Sequence, residues 1–378
     1  MTPLPPLRGR SRPALKERKL LPSKVCTAFV EGINFPALGA TFSERSPPLP
    51  FRLQGSPRRI EKEWSPRTQN LALTQPGIPN EYSLSTSCYG DRLDTIEDQA
   101  FATVAMGFRR MEIGLAEEPV PLNGFQDSRR ETGIEVRSMV VGCLDKRASA
   151  MTGTRLGSLD RDDRARALLS CRRHIRIASE YECPVVILRG CEVEDPKLSA
   201  AADELHARLV EEGPEEELVK EVHAHVARVA RTSQSQIDHF CRGIHHLLGE
   251  FPGVTIAVEA GMHYNDLFGF ETIGWMLEDL GNQGLRYWHD TGRIFLRERA
   301  GLPAQGEWLD SFSSCMIGAH IHDSDGTLCE MPPGKGEVDF KLLSEYLPKD
   351  AERVIEVNSR HPRAEILAAV QVLEGLGI

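Results

Sequence analysis

The sequence predicts an α/β fold in which eight parallel strands alternate with helices and close into a TIM barrel. Short apolar runs, typical of strands buried on both faces, recur from residue 82 to the C-terminus. Helical segments separate these runs, and such alternation gives a parallel sheet. Several runs end in a carboxylate or an imidazole, and in a TIM barrel strand ends carry the chemistry. A doubly wound open sheet is the alternative, but no Gly-rich phosphate loop follows the first strand.

The first half of the barrel is predicted from four apolar runs and the helices between them. Asp94 is a candidate N-cap for the first helix, because its carboxylate can accept a backbone N–H. The helix after the second strand is poorly marked, and residues 115–131 are also compatible with a loop. The predicted strands are Tyr82–Cys88, Arg110–Leu115, Ile134–Cys143 and Val185–Leu188, with helices at Asp94–Phe108 and Asp160–Tyr181.

The second half begins after a long charged helical region, Leu198–Leu248, which is broken near Gly213-Pro214. Thr291-Gly292 is interpreted as a turn that leads the chain away from the sixth strand. The predicted strands are Thr255–Glu259, Leu285–Asp290, Met316–His322 and Arg353–Val357, and the helices are Phe270–Leu280, Glu307–Ser313, Phe340–Leu347 and Ala364–Leu376.

Residues 1–80 differ in composition from the rest of the chain. They contain 13 Lys and Arg, 5 Asp and Glu and 13 of the 24 prolines, whereas the whole chain has a formal net charge of -10. Such a segment cannot bury enough apolar surface to fold. We therefore predict a disordered or artefactual extension at 1–80 and the barrel at 81–378. An organelle-targeting peptide is the alternative, although Pro3, Pro5 and Pro6 would interrupt an amphipathic helix.

The composition of the chain indicates a soluble cytoplasmic protein. Hydrophobic residues make up 40% and charged residues 26% of the 378 residues, which is ordinary for a globular protein. The 9 cysteines form no CxxC pair, so we expect reduced thiols. No apolar run approaches the roughly 20 residues of a membrane span. The net negative charge argues against nucleic acid as a partner and leaves a small-molecule substrate.

Ionisable residues end four consecutive predicted strands. Glu259, Asp290, His320 and Glu356 would meet at the carboxyl end of the barrel, and oxygen and nitrogen donors of this kind suit a divalent metal. The alternative is that the carboxylates are ion-paired residues at strand ends. Glu112, at the end of the second strand, is a further candidate for this site.

Five segments of the second half, in order, resemble the xylose isomerase-like TIM barrels, a group with sugar-phosphate isomerases and epimerases and apurinic-site endonucleases. The segments are TIAVE, YWHDTGR, GAHIHDSDG, PPGKGEVDF and RVIEVN, and the resemblance covers residues 82–378. It implies one divalent ion (Mn, Mg, Co or Zn) on Glu259, Asp290, His320 and Glu356. Arg293 stands where relatives commonly have His, and Cys329-Glu330 where many have Asp-His. Those positions serve the extra metals of endonuclease-like members, so a single-metal site is expected.

Glu259 and Glu356 are predicted to be the catalytic pair. They lie on the fifth and eighth strands, which are not neighbours, so they could flank a substrate as base and acid. The metal would stabilise an enediolate. This chemistry suits an isomerase or epimerase of a sugar or sugar phosphate. A phosphodiesterase or endonuclease on the same barrel, and a non-catalytic barrel that binds a small molecule, remain alternatives, and a homodimer is possible.

Five further residues are candidates for substrate binding. Arg293 would suit an anionic group of the substrate, unless it is a solvent-facing loop residue or marks lost function. Lys335, within PGKG, would suit a phosphate, although an ordinary Gly-rich turn explains it equally. Arg189, after the fourth strand, is a weaker candidate. His322 shares a strand face with His320, whereas alternation should turn His289 to the opposite face.

Asp323 is the predicted supporting residue of the site. It follows His322 directly, and a carboxylate there could orient His320 or a neighbouring ligand by accepting a hydrogen bond.

Overall fold

The computed structural model describes residues 77–145 and 153–378, apart from 117, 118 and 120. Within them, eight parallel strands pair in sequence order, and the eighth pairs with the first to close a barrel. The predicted TIM barrel is confirmed. The strands are Tyr82–Ser85 (β1), Arg110–Ile113 (β2), Glu135–Val140 (β3), Val185–Leu188 (β4), Thr255–Glu259 (β5), Leu285–Asp290 (β6), Met316–Ile321 (β7) and Glu352–Ile355 (β8).

Helices follow the strands around the outside of the barrel, and three of them, α4 to α6, fill the connection from β4 to β5. The helices are Ile96–Met106 (α1), Phe125–Thr132 (α2), Arg161–Glu180 (α3), Pro196–Glu212 (α4), Glu216–Thr232 (α5), Gln234–Glu250 (α6), Phe270–Leu280 (α7), Thr291–Arg299 (α8), Gln305–Phe312 (α9), Phe340–Tyr346 (α10) and Arg363–Leu376 (α11). No helix in the described part of the chain is long and apolar enough to cross a membrane. The predicted extension lies outside the described residues up to residue 76, so the domain boundary stays a prediction.

Two helix boundaries depart from the sequence-based expectation. Thr95, and not Asp94, caps α1, because its hydroxyl oxygen accepts the backbone N–H of Asp98 at 3.1 Å. The poorly marked second helix does form, between Gly124 and Gly133, both of which adopt the left-handed conformation. Its pattern was weak because only Phe125 and one other of its eight residues are buried.

Helix α8 replaces the turn that was predicted at Thr291-Gly292. It starts directly after β6, and the side chain of Asp290 accepts the backbone N–H of Arg293 at 2.8 Å. A carboxylate is a favourable N-cap because it satisfies a free helix N–H and complements the helix dipole. Arg293 therefore belongs to the first turn of a helix, and its side chain points back towards the barrel mouth.

Trp288 fills the inside of the barrel below the strand ends. Its side chain is fully buried and packs in a separate apolar cluster. Gly318 lies opposite it on β7 in the strand register, and a Cβ atom there would overlap the indole ring. The other members of the cluster are Val140, Val185, Ile187, Ala257 and Val354.

Replacing Gly318 with alanine should destabilise the barrel. The new methyl group would force the Trp288 ring from a closed cavity, and overpacking of this kind costs about 1–3 kcal/mol. Chemical denaturation monitored by circular dichroism would measure the free energy of unfolding. Gly249→Ala in α6 is the matched control, because no atom lies near its Cβ position and helical Gly→Ala substitutions gain about 0.5–1 kcal/mol. Equal stability of the two variants would contradict this account of the core.

Candidate active site

Four carboxylates and two imidazoles converge at the carboxyl ends of the strands, and all of them are almost completely excluded from solvent. Two guanidinium groups, from residues just after β4 and β6, lie among them with about a tenth of each side chain exposed. All four residues predicted as metal ligands belong to this cluster. Its members are Glu112, Arg189, Glu259, Asp290, Arg293, His320, His322 and Glu356.

His320 lies at the centre of the cluster. Its Nε2 atom is 2.9 Å from Glu112 Oε2, while Nδ1 contacts Glu259 Oε1 and is 3.5 Å from Glu356 Oε2. The Trp288 ring packs edge-on against the imidazole from below, with ring centroids 5.3 Å apart. Burial disfavours a charged ring, but the three carboxylates outweigh it and raise the pKa of His320 well above its ordinary value.

Two arginines pair with the predicted catalytic carboxylates. Arg189 donates through Nη2 to Glu356 Oε1 at 2.6 Å, and its Nε is 2.8 Å from Glu259 Oε2. Arg293 donates through Nη1 to Glu259 Oε2 at 3.0 Å, and its Nε is 3.2 Å from Asp290 Oδ2. The positive charges of both arginines are therefore already matched by carboxylates of the protein.

The arginines also control the ionisation of Glu356. Burial alone would raise the pKa of this carboxyl group, but the nearby charges of Arg189, His320 and Arg293 lower it to about 2. Glu356 is therefore ionised at neutral pH.

His322 binds Asp290 and not the centre of the cluster. Its Nε2 is 2.9 Å from Asp290 Oδ1, and its Nδ1 accepts the backbone N–H of Glu330 at 3.0 Å. Because Nδ1 is an acceptor, a neutral ring carries its proton on Nε2, the nitrogen that lies beside Asp290. Glu330 has a φ of 58°, an uncommon conformation for a residue with a side chain. His322 lies beside Asp290, and together with Asp290 and Glu356 it offers ligand atoms within 4.8 Å of one another.

Two of the predicted binding residues lie away from the cluster. His289 faces outwards, as strand alternation indicates, with its Nδ1 2.9 Å from Tyr287 Oη, and burial lowers its pKa to about 4. Lys335 is half exposed, and its Nζ lies 3.7 Å from Glu365 of α11. The structure therefore brings neither residue to the barrel mouth.

Asp323 organises the loop after β7 and does not contact His320. Its two carboxylate oxygens accept four backbone N–H groups at 2.8–3.0 Å. The predicted supporting carboxylate is thus a fixed anchor for the PGKG segment. The four donors are Ser324, Gly334, Gly336 and Val338.

Glu112 is the site residue that sequence reasoning weighed least. It is the third of the four residues of β2, whereas Glu259 ends β5, so the signal was similar, a carboxylate near the end of a buried strand. The segments that carry the family resemblance lie in the second half of the chain, so they give no information about residues of β2. The structure shows that this carboxylate reaches His320 across the barrel mouth.

The donor set of the cluster fits a divalent ion. Glu259, Asp290 and His320 offer ligand atoms within 4.8 Å of one another, and Glu356 groups in the same way with Glu112 and His320. Asp290 Oδ2 and Glu356 Oε2 are buried and accept no hydrogen bond from the described residues. Such oxygens, together with an imidazole nitrogen, are suitable ligands for several divalent metals.

The charges of the buried cluster also favour a bound divalent ion. Four carboxyl groups lie in the cluster, and the two guanidinium groups pair with three of them, Glu259, Asp290 and Glu356. Buried charges are stable only when they are paired or bound to a metal. A divalent ion bound to His320 would supply positive charge in place of a proton on that ring.

No protein-family model matches the sequence, and a search of the curated proteins found no match. The fold, in contrast, matches solved structures. A D-tagatose 3-epimerase-like protein shares 13% identity over 78% of this chain and 96% of its own, with a TM-score of 0.56.

Two further matches are similar in extent. The 3-keto-D-glucoside 4-epimerase of E. coli has a TM-score of 0.54 at 13% identity, over 79% of this chain and 99% of that chain. The D-psicose 3-epimerase of Clostridium cellulolyticum H10, solved with D-tagatose, has a TM-score of 0.55 at 11% identity, over 78% of this chain and 98% of that chain. The chain therefore shares the TIM-barrel fold of these solved structures, as its pattern of strands and helices predicts.

Proposed function

We propose that this barrel is an enzyme that isomerises or epimerises a sugar by moving a proton at a carbon next to a carbonyl group. The observation that carries the proposal is the meeting of two buried carboxylates, Glu259 and Glu356, on strands separated by β6 and β7. Arg189 contacts both carboxylates, so they share one neighbourhood. The sugar epimerases among the structures of the same fold support this choice.

Glu356 is the proton acceptor in this proposal. Its low pKa keeps it ionised at neutral pH, because Arg189, His320 and Arg293 stabilise its charge. Glu259 is the second carboxyl group and, when protonated, would return a proton to the neighbouring carbon or to the other side of the same carbon. The hydrogen bonds from Arg189 and Arg293 restrain both groups, which lowers the entropic cost of a reactive arrangement.

The residues that would hold a metal are Glu259, Asp290, His320 and Glu356. A bound divalent ion, such as Mn, Mg, Co or Zn, would stabilise the negative charge that develops on the substrate oxygens. Arg293 pairs with Glu259 and Asp290, and Arg189 pairs with Glu259 and Glu356. Cationic side chains at these carboxylates favour a single-metal site over the multinuclear site of a phosphodiesterase.

The substrate that fits the site best is a neutral sugar and not a sugar phosphate. The N–H groups of Gly334 and Gly336, which could have bound a phosphate, donate to Asp323 instead. Lys335 pairs with Glu365 away from the mouth, and Arg293 is bound to protein carboxylates. The candidate phosphate-binding groups are therefore engaged within the protein.

Glu356→Gln should abolish proton transfer while the protein stays folded. Loss of a general base typically lowers the rate by about 10²–10⁴-fold, and Gln cannot accept the proton. Incorporation of deuterium from D₂O into a panel of ketoses, D-tagatose and D-psicose included, measured by proton NMR would report the step directly. Glu259→Gln should behave in the same way.

Glu217→Gln is the matched control, because Glu217 lies on the exposed surface of α5 and pairs only with Lys220 among the described residues. It should exchange deuterium at the rate of the unmodified protein. No exchange by the unmodified protein with any ketose, after loading with manganese, magnesium, cobalt or zinc, would favour the non-catalytic barrel and overturn the proposal.

Chelation should remove about one metal per chain and the exchange activity with it. Plasma mass spectrometry of the purified protein would give the stoichiometry, and Asp290→Asn should lower it, because Asp290 contributes a ligand without a proposed acid–base role. Activity should return when the metal is added back. Two or three ions per chain would contradict the single-metal site and favour phosphodiester hydrolysis.

A free ketose should react with a kcat/KM at least about tenfold above that of its phosphate ester. The phosphate group of the ester would lie beside four carboxylates and lack a matching positive charge. Parallel progress curves with the two compounds would measure the ratio. Preference for the ester would show that Arg293 or Lys335 becomes available to the substrate and would contradict the neutral-sugar assignment.

A further inference from the structure

Glu112 is a buried carboxylate that the proposed acid–base chemistry does not use. Its side chain, on the third of the four residues of β2, is fully excluded from solvent. Burying a carboxylate costs several kcal/mol unless it is paired and hydrogen-bonded. The contacts that offset this cost indicate what the residue does.

Three donors hold the Glu112 carboxylate in one orientation. Ser85 of β1 donates to Oε1 at 2.8 Å, and Ser138 of β3 donates to Oε2 at 2.7 Å. The third partner is His320, whose Nε2 is 2.9 Å from Oε2. Both strands beside β2 therefore contribute a hydroxyl group, and within the described part of the chain the third hydrogen-bond partner is the imidazole at the centre of the cluster.

The position of Glu112 determines how His320 presents its second nitrogen. A carboxylate that accepts from Nε2–H keeps the proton of a neutral ring on Nε2, so Nδ1 retains its lone pair. Nδ1 is the atom that faces Glu259 and Glu356. A carboxylate behind a ligating histidine also makes the ring more basic and a stronger ligand.

We infer that Glu112 is a positioning residue that fixes the tautomer and orientation of His320 and thereby sets the affinity of the site for a divalent ion. The inference rests on the proposed function, because it assumes that His320 holds the ion. Ser85 and Ser138 support it by restraining the carboxylate. Glu112 itself needs no contact with the substrate.

Calorimetric titration of the chelator-treated full chain with manganese chloride would test this role. Glu112→Gln keeps the size and one acceptor oxygen but removes the charge, whereas Glu112→Leu removes the acceptor as well. Loss of such a supporting partner typically weakens metal binding by about 10–100-fold. We therefore expect the Kd to rise in that range for the Gln variant and further for the Leu variant.

Glu352→Gln is the matched control, because Glu352 is also a buried strand carboxylate but lies at the opposite end of the barrel, where it pairs with Arg137. Its Kd for manganese should equal that of the unmodified protein. Thermal unfolding of the metal-free proteins separates positioning from a purely structural role. A structural residue would lower the Tm of the metal-free protein and leave the Kd of the folded variant unchanged.

The outcomes separate this inference from the proposal on which it rests. An unchanged Kd for folded Glu112→Gln, beside a tight Kd for the unmodified protein, would overturn the role of Glu112 and leave the proposed function intact. No manganese binding by the unmodified protein would overturn the metal part of the proposed function, and the inference with it. If only the Leu variant fails to fold, the Gln variant still decides between the outcomes.

Discussion

The cost of burying four carboxylates at one end of the barrel is the constraint on which the rest of the site depends. Each carboxylate contacts a positively charged or polar side chain, and the fold positions that side chain next to it. Arg189 leaves β4, Arg293 returns from the first turn of α8, and the serines come from the strands beside β2. Removing one partner would leave an uncompensated charge, which is costlier than a lost surface contact.

The strand ends were predictable from sequence because a charged residue at the end of a buried apolar run is a conspicuous break in pattern. Glu259, Asp290, His320 and Glu356 were found in this way, and the structure places all four in one cluster. The barrel itself follows from the alternation of runs and helices. The orientation of His289 also follows, since adjacent residues in a strand face opposite sides, although His289 was included among the candidates for substrate binding.

What the sequence does not reveal is the pairing between residues far apart in the chain. Arginine commonly binds anionic ligands, so Arg293 was a reasonable candidate for substrate binding. Only the folded structure, in which a helix begins at Thr291, shows that its guanidinium group pairs with Asp290 and Glu259. Likewise, Gly334 and Gly336 are typical of a phosphate-binding loop. In the structure, however, their backbone N–H groups donate to the carboxylate of Asp323. In both places a local motif is overridden by a partner that only the folded chain brings near.

The packing of Trp288 against Gly318 determines more than core density. The indole closes the barrel directly beneath His320, so the charged groups rest on an apolar floor. Exclusion of water on that side lowers the local dielectric constant and strengthens each charge–charge interaction in the cluster. The side of the cluster where Arg189 and Arg293 keep about a tenth of their side-chain exposure is then the side on which an ion or a substrate would meet these groups.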